Sequence, residues 1–511
     1  MWKSLTRFHN GSTPRSLAAY ASWLSILCAL SVCFSTAQAE TVSAEPDGKK
    51  PDYTRGEENG YAAGLGSGDL SIGEPGETQT WNWHIQNTDI VNSDPGFPAK
   101  YSGPNSLNRT GNTKETVSAD LFAGVRLWRG AEAHVDGLTW QGLGLSTTHG
   151  IESFPDGDAY KAGTKTPNLM FARLFLRQTI GFGGEHEETP DGQLTLAGRQ
   201  DISRLTFTVG RFTPLDIMDH NTYAQDPHTQ FMSWGLMANL AWDYGQDTIG
   251  YTTGFAVELN QRNWALRYVC FSMPPYMNVQ NTGSGDSGDD QYLTWPARGR
   301  WGEFFHSWAM ATECERRYSL KAPSGTIRSL AYLNEGSMAS YHAATAILRE
   351  FGPRADITPA QAYRYKYGFG LNWEQEVARN IGVFSRLGWN DGQSQAMEFA
   401  DPNWTTSLGV SVKGDVWRRC GDTFGLGGVV SGASREQKNY LAAGGVGILD
   451  GDGALAYGSE KALEIYYDLQ IWKTAFATVH LAAGYEFVAN PAFNRDRGPV
   501  SVFVGRLHWE L

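Results

Sequence analysis

Hydrophobic and polar residues alternate in one segment after another along this chain. In the last segment, residues 500–511, one parity carries Phe503, Leu507 and Trp509, and the other carries Arg506 and His508. Successive side chains of a β-strand point to opposite faces, so this segment predicts a strand with one apolar face and one mostly charged face. We expect such a strand to separate two environments and to pair with neighbouring strands.

The same alternation predicts about sixteen strands, an even number of the kind that single-chain outer-membrane β-barrels use. They lie near residues 81–87, 119–129, 131–140, 169–182, 204–212, 251–259, 264–272, 304–313, 326–334, 366–374, 381–390, 407–416, 423–431, 464–472, 476–488 and 500–511. Short connections such as 378–380 alternate with long ones such as 213–250, which matches short periplasmic turns and long outer loops. The connection 183–203 is an exception, because it falls on the short-turn side but is long enough to hold extra structure.

The N-terminus predicts export. Lys3, Arg7 and Arg15 precede an apolar run over 17–34, and residues 37–39 read Ala-Gln-Ala, which indicates a signal peptide over residues 1–39. A lipoprotein motif ending at Cys33 and a single anchoring helix are weaker alternatives. Residues 40–80 are polar, rich in glycine and without periodicity, so we expect a flexible periplasmic leader before a barrel over 81–511. The predicted location is the outer membrane of a Gram-negative bacterium.

Charge and cysteine content narrow the function classes. Cleavage near Ala39 removes three cations and no acids, which takes the formal charge from −12 to −15 and argues against a nucleic-acid partner. Cys270, Cys314 and Cys420 remain, without the spacing of a metal site. Beyond the signal peptide the chain has no apolar run of about 18 residues, so we expect membrane spans only as alternating strands.

The parity of each strand predicts a charged lumen. In residues 170–177 the even positions are apolar and the odd ones carry two arginines, so the arginines are expected to face inward. The predicted pore lining comprises Arg126, Trp128, Arg173, Arg177, Glu258, Arg267 and Arg386. The alternative is that each of these residues is an ordinary hydrated lumen residue balanced by acids.

A series of motifs resembles the carbohydrate-selective porins, the OprB family of Gram-negative outer membranes. The motifs are YSGPNSL (101–107), RLFLRQT (173–179), LDIMDHNTYAQDPHTQFMSWGLM (215–237), GVFSRLGWNDG (382–392), YLAAGGVGILDGDGALAYGSEKALEIYY (440–467) and NPAFNRDRGPVSVF (490–503). They occur in order over nearly the whole mature chain. The resemblance implies a sixteen-stranded pore that admits sugars such as glucose by diffusion without an energy source.

The resemblance gives the lumen arginines a role, because a row of Arg with some acids and an aromatic side chain would bind sugar hydroxyls weakly and pass them along. The connection 213–250 is expected to narrow the channel. Its candidate constriction residues are Asp216, Asp219, His220, Asn221 and Asp226. These Asp and His side chains could also bind a metal, but their spacing matches no known motif, so constriction or loop packing is favoured.

Several other features are weaker. Residues 285–289 read Gly-Asp-Ser-Gly-Asp, which resembles part of a serine-protease motif, but no histidine motif precedes it and an outer loop explains it better. Gly451-Asp452-Gly453 lacks the ordered ligands of a calcium loop, and 338–350 could form a short helix. We therefore predict no catalytic residue, metal or cofactor.

The function alternatives are a general diffusion porin and an outer-membrane barrel enzyme. A secreted β-propeller is disfavoured, because the chain has no repeat of about 40 to 50 residues. The expected partners are carbohydrate solutes and outer-membrane lipid, with monomer and homotrimer both open.

Overall fold

A computed structural model describes residues 78–159, 163–246, 250–273, 306–319, 324–398 and 401–511. The predicted signal peptide, most of the predicted leader and the Gly285–Asp289 motif lie outside these residues. The first described strand begins at Trp81.

Sixteen strands of the described chain form one closed antiparallel barrel. They are β1 (Trp81–Asp94), β2 (Asn112–Trp128), β3 (Ala131–Gly142), β4 (Thr164–Gly181), β7 (Arg204–Phe212), β8 (Thr252–Asn260), β9 (Trp264–Ser272), β10 (Trp308–Ser319), β11 (Ser324–Ala339), β12 (Gln361–Ala378), β13 (Ile381–Asn390), β14 (Trp404–Lys413), β15 (Thr423–Gly432), β16 (Glu460–Lys473), β17 (Thr478–Ala489) and β18 (Val500–Glu510). Each overlaps one predicted segment, so the predicted fold class is confirmed. Several strands are longer than the pattern indicated.

The barrel closes between its first and last strands. β18 pairs with β1 from Gln86↔Glu510 to Ser93↔Phe503, and it pairs with β17 on its other side. A strand edge in lipid would leave backbone groups without partners, at a cost of several kcal/mol for each group. Closure therefore accounts for the alternating pattern of residues 500–511.

The two faces of the wall differ as the alternation predicted. Leu121, Leu176 and Phe503 are about half exposed on the outside, where lipid would cover them. Inward neighbours such as Asp120 and Arg506 are buried. An apolar outer band around a polar interior is the arrangement of a transmembrane β-barrel.

Short and long connections between the strands lie at opposite ends of the barrel. At one end β2–β3 and β12–β13 join through two-residue turns, in which Gly130 and Asn380 adopt positive φ angles of 75° and 68°. The connection 183–203, which is long although it lies at the short-turn end, contains a small hairpin of β5 (His186–Thr189) and β6 (Gly198–Asp201). Long loops occupy the other end, which is the outer end in such barrels.

Three α-helices lie in the long loops of the described chain: α1 (Trp234–Met237), α2 (Tyr341–Phe351) and α3 (Arg435–Ala442). Ser340 and Ser434 cap α2 and α3 through their hydroxyl groups. The helix indicated near 338–350 is present as α2, and its Tyr341 packs on Tyr440 of α3 with ring centroids 5.2 Å apart. No helix among the described residues is long and apolar enough to cross a membrane.

Candidate functional site

The connection between β7 and β8 folds into the barrel. Nearly every residue from Thr213 to Gln246 is at least partly buried. Phe231 of this connection packs on the inward side chain of Phe384 on β13, with ring centroids 5.2 Å apart, and Leu240 belongs to the same interior cluster. We call residues 213–246 the constriction loop, because they fold into the lumen and pack on inward side chains of the wall.

Two arginines from facing walls bind the start of the constriction loop. Arg173 of β4 donates from Nε and Nη2 to the two carboxylate oxygens of Asp216, each at 2.9 Å. Arg386 of β13 donates from Nε to both oxygens of Asp219, at 3.1 and 3.0 Å. β4 and β13 lie seven strand steps apart in the ring of sixteen, so they are nearly opposite. The loop is thus fixed across the lumen.

Carboxylates of the wall bind the backbone of the same loop. Glu313 of β10 accepts from the N–H of Asp219 at 2.7 Å. Glu464 of β16 accepts from the N–H groups of Met232 and Ser233, at 2.9 and 3.0 Å. Hydrogen bonds to charged groups contribute about 1.5–3 kcal/mol each. The position of the loop is therefore determined by inward side chains of several strands.

A row of opposite charges crosses the wall from β8 to β12. It consists of Glu258, Arg267, Glu313, Glu315, Arg328 and Glu374, which we call the charged row. The strand register places Arg267 between Glu258 and Glu313, and Arg267 Nη1 lies 2.9 Å from Glu313. Arg328 donates to Glu315 at 2.8 Å and to Glu374 at 3.1 Å. The side chains of Glu258 and Arg267 remain 25% and 11% exposed, so the row meets the water of the lumen.

The constriction loop presents His220 and Tyr223 near this row. Burial, followed by the charges of Arg267 and Arg328, lowers the pKa of His220 to about 4, so its ring is neutral at pH 7. Tyr223 is half-buried, and its ring lies so close to Gly382 of β13 that a Cβ there would be 2.0 Å away. Glycine at this position lets the aromatic ring lie against the wall. A neutral imidazole and an aromatic ring thus lie beside alternating charges.

A second ionic group holds the far part of the loop. Burial alone would lower the pKa of His228, but Asp226 and Asp158 hold it well above its usual value. His228 lies 3.0 Å from Asp226 and 3.4 Å from Asp158, and its ring stacks on His508 with centroids 6.2 Å apart. The ring of His228 is therefore charged at neutral pH and joins the loop to the β3–β4 connection.

The long turn at the short-turn end also enters the lumen. Its segment 190–197 contacts inward residues of β1: Asn82 Nδ2 donates to Asp191 at 2.7 Å, to Gly192 O at 2.9 Å and to Thr195 O at 2.8 Å. His84 lies 3.3 Å from Asp191. We call residues 190–197 the inner insertion. The channel is therefore narrowed from both ends.

The predicted pore-lining residues fall into different surroundings. Arg173 and Arg386 are buried and bound to the constriction loop, whereas Arg267 and Glu258 belong to the charged row. Arg177 donates to Leu194 O of the inner insertion at 2.8 Å. Arg126 lies 3.2 Å from Glu132 and keeps a side chain 21% exposed.

The predicted inward position of Trp128 is wrong. A β-bulge shifts the register between Arg126 and Trp128, so that Trp128 donates to Gln178 at 2.9 Å. Gln178 has the parity of the exposed Leu176 on β4, and Trp128 is itself 62% exposed. An extra residue in a strand moves all later side chains to the opposite face. Trp128 therefore lies on the outer face.

The candidate residues of the constriction loop mostly bind the wall or one another. Asp216 and Asp219 bind the two facing arginines, and Asn221 donates to Asn372 of β12 at 2.8 Å. Asp226 binds His228, whose charge lowers the pKa of this carboxyl although burial opposes the shift. Two of the five candidates lie beside the charged row: His220, and Asp219, whose backbone N–H donates to Glu313.

Sequence reasoning missed the acidic and basic residues of β10 and β11. Glu313, Glu315 and Arg317 alternate with other residues along β10, which is the signal that identified the lumen arginines elsewhere. The predicted strand ended at residue 313, so this parity was not followed further. Arg328 and Glu374 follow from the same register once β10 is extended.

These features define a class of protein. A closed barrel with an apolar outer face, a charged lumen and an inward loop that narrows it is an outer-membrane channel of the porin type. The chain belongs to the carbohydrate-selective porin, OprB family, whose sequence profile matches residues 104–511.

This chain is similar to solved structures at low sequence identity. The high-pH structure of Pseudomonas putida OprB is 14% identical, with a TM-score of 0.60 over 84% of this chain and 94% of that chain. The outer membrane channel DcaP of Acinetobacter baumannii is 8% identical, with a TM-score of 0.44 over 86% of this chain and 99% of that chain. No curated protein sequence matches this chain.

Proposed function

We propose that this protein is an outer-membrane porin through which carbohydrates of glucose-like size diffuse passively into the periplasm. The observation that carries the proposal is the charged row beside His220 and Tyr223, in a chain of the carbohydrate-selective family. A sugar hydroxyl both donates and accepts hydrogen bonds, whereas Arg only donates and a carboxylate only accepts. Alternating Arg and Glu can therefore bind neighbouring hydroxyls of a neutral solute.

The residues divide into sugar contacts and positioning residues. Arg267, Arg328 and Glu258 would bind hydroxyls, and the ring of Tyr223 would pack on the apolar face of the sugar. Arg173 and Arg386 act through the constriction loop, because Nε, Nη1 and Nη2 of each donate to carboxylates or loop carbonyls. Among the described residues, Arg267 and Arg328 donate to carboxylates through Nε and Nη1, which leaves Nη2 of each for a solute. Binding at such a row would be weak and repeated, which permits passage.

Transport by this route requires no energy source, cofactor or chemical step, so we propose a channel without catalysis. The apolar outer face would contact outer-membrane lipid. Export would follow cleavage of the predicted signal peptide near Ala39. The channel would act as a monomer or a homotrimer.

Single-channel conductance in planar bilayers tests the proposal, with glucose, maltose and a non-sugar solute of similar size as titrants. We expect saturable block by a sugar, weakened in Arg267→Gln. Arg262→Gln is a matched control, because Arg262 lies in the turn between β8 and β9 and forms an exposed ion pair with Glu185. Conductance without sugar-specific block would indicate a general diffusion porin. Absence of conductance would favour the alternative of an outer-membrane barrel enzyme.

A further inference from the structure

Three carboxylates from three outer loops meet at one buried point. Glu152 lies between β3 and β4, Asp401 between β13 and β14, and Asp450 between β15 and β16. All three are 1% exposed or less, and one oxygen of each lies within 4.8 Å of the others. Like charges this close repel one another, so the arrangement needs a positive partner or protons.

Glu152 is the least satisfied of the three. Neither of its carboxylate oxygens has a hydrogen-bond partner by geometry among the described residues, although the backbone N–H of Asp401 faces it. The neighbouring Glu460 differs sharply, because it accepts from the N–H groups of Glu152, Ser153 and Ala492 at 2.7–2.9 Å. A buried carboxylate without such partners is strongly unfavourable unless a cation binds it or it takes up a proton.

One of the two carboxylate oxygens of Asp450 also lacks a hydrogen-bond partner by geometry among the described residues. Its Oδ2 accepts from Gln437 at 3.3 Å. Its Oδ1 has no hydrogen-bond partner by geometry among the described residues, although the backbone N–H of Gly447 faces the carboxylate. Neither Glu152 nor Asp450 forms an ion pair with a described Lys, Arg or His. The charges of Glu152 and Asp450 are therefore not balanced by ion pairs with basic side chains of the described residues.

Gly447, which has no side chain, lies directly beside two of these carboxylates. A Cβ on Gly447 would lie 2.2 Å from Asp450 Oδ1 and 2.6 Å from Asp401 Oδ1. The loops are held around it, because Leu449 N–H donates to Asp401 Oδ2 at 2.8 Å and Asn105 donates to Gly447 O at 2.9 Å. The oxygens thus converge on a fixed point next to a residue without a side chain.

We propose that Glu152, Asp401 and Asp450 bind one calcium ion. Calcium binds carboxylate oxygens at about 2.3–2.6 Å, so two ligand oxygens on one ion lie no more than about 5 Å apart. Ligands from three irregular loops suit its flexible geometry better than the near-octahedral geometry that magnesium requires. The sequence-based prediction of no metal site missed this cluster, because its members are far apart in the chain.

The ion would join the outer loops above the channel. Asp401 follows the loop in which the N–H groups of Met397 and Glu398 donate to Asp243 of the constriction loop, at 2.8 and 2.9 Å. Calcium would therefore brace the constriction loop from the outer side, independently of which solute passes.

Calcium binding to the full mature chain in detergent tests the proposal, after the protein has been washed with a chelator. Isothermal titration calorimetry should give one calcium ion per chain, and the melting temperature should rise on addition of calcium. Glu152→Gln and Asp450→Asn should each weaken binding at least tenfold. Glu486→Gln is a matched control that should retain binding, because Glu486 is also a fully buried carboxylate with oxygens that lack partners but lies outside the cluster.

Absence of calcium binding to the wild-type chain, or unchanged binding in Glu152→Gln, would overturn the proposal. Should the variants fail to fold, manganese exchanged into wild-type crystals provides a second measurement. An anomalous peak among the three carboxylates supports the site, and its absence there at saturating manganese rejects it.

Discussion

Arg173 and Arg386 reach from facing walls of the barrel to carboxylates only three residues apart in one loop. Arg173 binds Asp216 with two parallel hydrogen bonds, and Arg386 binds Asp219 while also donating to Leu236 O at 2.7 Å. The exposed fraction of the Arg386 side chain is 1%. Two of the arginines that the sequence predicted as pore lining therefore determine where the loop lies.

Removing Asp219 should release the loop rather than abolish transport. In Asp219→Ala the guanidinium of Arg386 stays buried without its partner, which typically costs about 3–5 kcal/mol. We expect a lower melting temperature, larger open-channel current and weaker sugar selectivity. The double variant with Arg386→Leu should recover part of the stability in a double-mutant cycle. Additive losses would show that the pair is not coupled.

Sugar affinity should depend on the charged row. Arg328→Gln removes the guanidinium of a largely buried arginine of the charged row, and a hydrogen bond of a charged group contributes about 1.5–3 kcal/mol, or about tenfold or more in binding. We expect the half-blocking concentration of glucose to rise by about that factor in bilayer recordings. Arg262→Gln should leave it unchanged. An equal loss in both variants would place the sugar site elsewhere.

The strands were predictable because their physical cause is local. Residues near in sequence decide which face of a strand is apolar, so the sixteen segments and the inward position of Arg173, Arg267 and Arg386 follow from parity alone. The bulge that turns Trp128 outward depends instead on the register in which β2 pairs with β3, which passes from Arg126↔Glu132 to Trp128↔Ala131. Parity could not reveal it.

The contacts of the site were less predictable for a similar reason. Alternation shows that an arginine faces the lumen but not what fills the lumen beside it. Asp219 meets Arg386 across 167 residues of sequence, and Asn82 meets the inner insertion across more than 100. These partners depend on how two loops fold into the barrel.

The charge of His228 should make the outer part of the channel sensitive to alkaline pH. Its pKa is raised in the folded state above the ordinary value of 6.5, so its contribution is complete below about pH 6.5 and is lost as pH rises through the folded pKa. Each unit of elevation contributes about 1.4 kcal/mol. Asp226, Asp158 and the stacked ring of His508 face it, and we expect the melting temperature to fall between pH 6.5 and pH 9.

The comparison with His228→Gln isolates that effect. The variant should melt lower than the wild type at pH 6 and show a flatter decline toward pH 9. A parallel decline in both proteins would assign the pH dependence to other groups.

His220 should give a pH dependence of opposite sign. Its folded pKa of about 4 lies below the ordinary 6.5, so its neutral ring favours the folded loop above pH 6.5, and this advantage is lost as pH falls toward 4. The loss is at most about 3 kcal/mol for a shift of this size. Melting curves of wild type and His220→Gln between pH 7 and pH 4 test it, and the variant should lose less stability on acidification.

The inner insertion should restrict the pore from the periplasmic end. Asn82 supplies three hydrogen bonds to the segment 190–197, and Arg177 supplies another through Leu194 O. Asn82→Ala leaves two backbone carbonyls and the carboxylate of Asp191 without this donor, so the segment should leave the wall part of the time. We expect larger and noisier single-channel current with an almost unchanged glucose block, because the charged row is on other strands. Gln141→Ala is a suitable control, since the side chain of Gln141 bonds only Lys165 O among the described residues, in an exposed position. Identical current in Asn82→Ala and wild type would mean that the insertion does not narrow the conducting path.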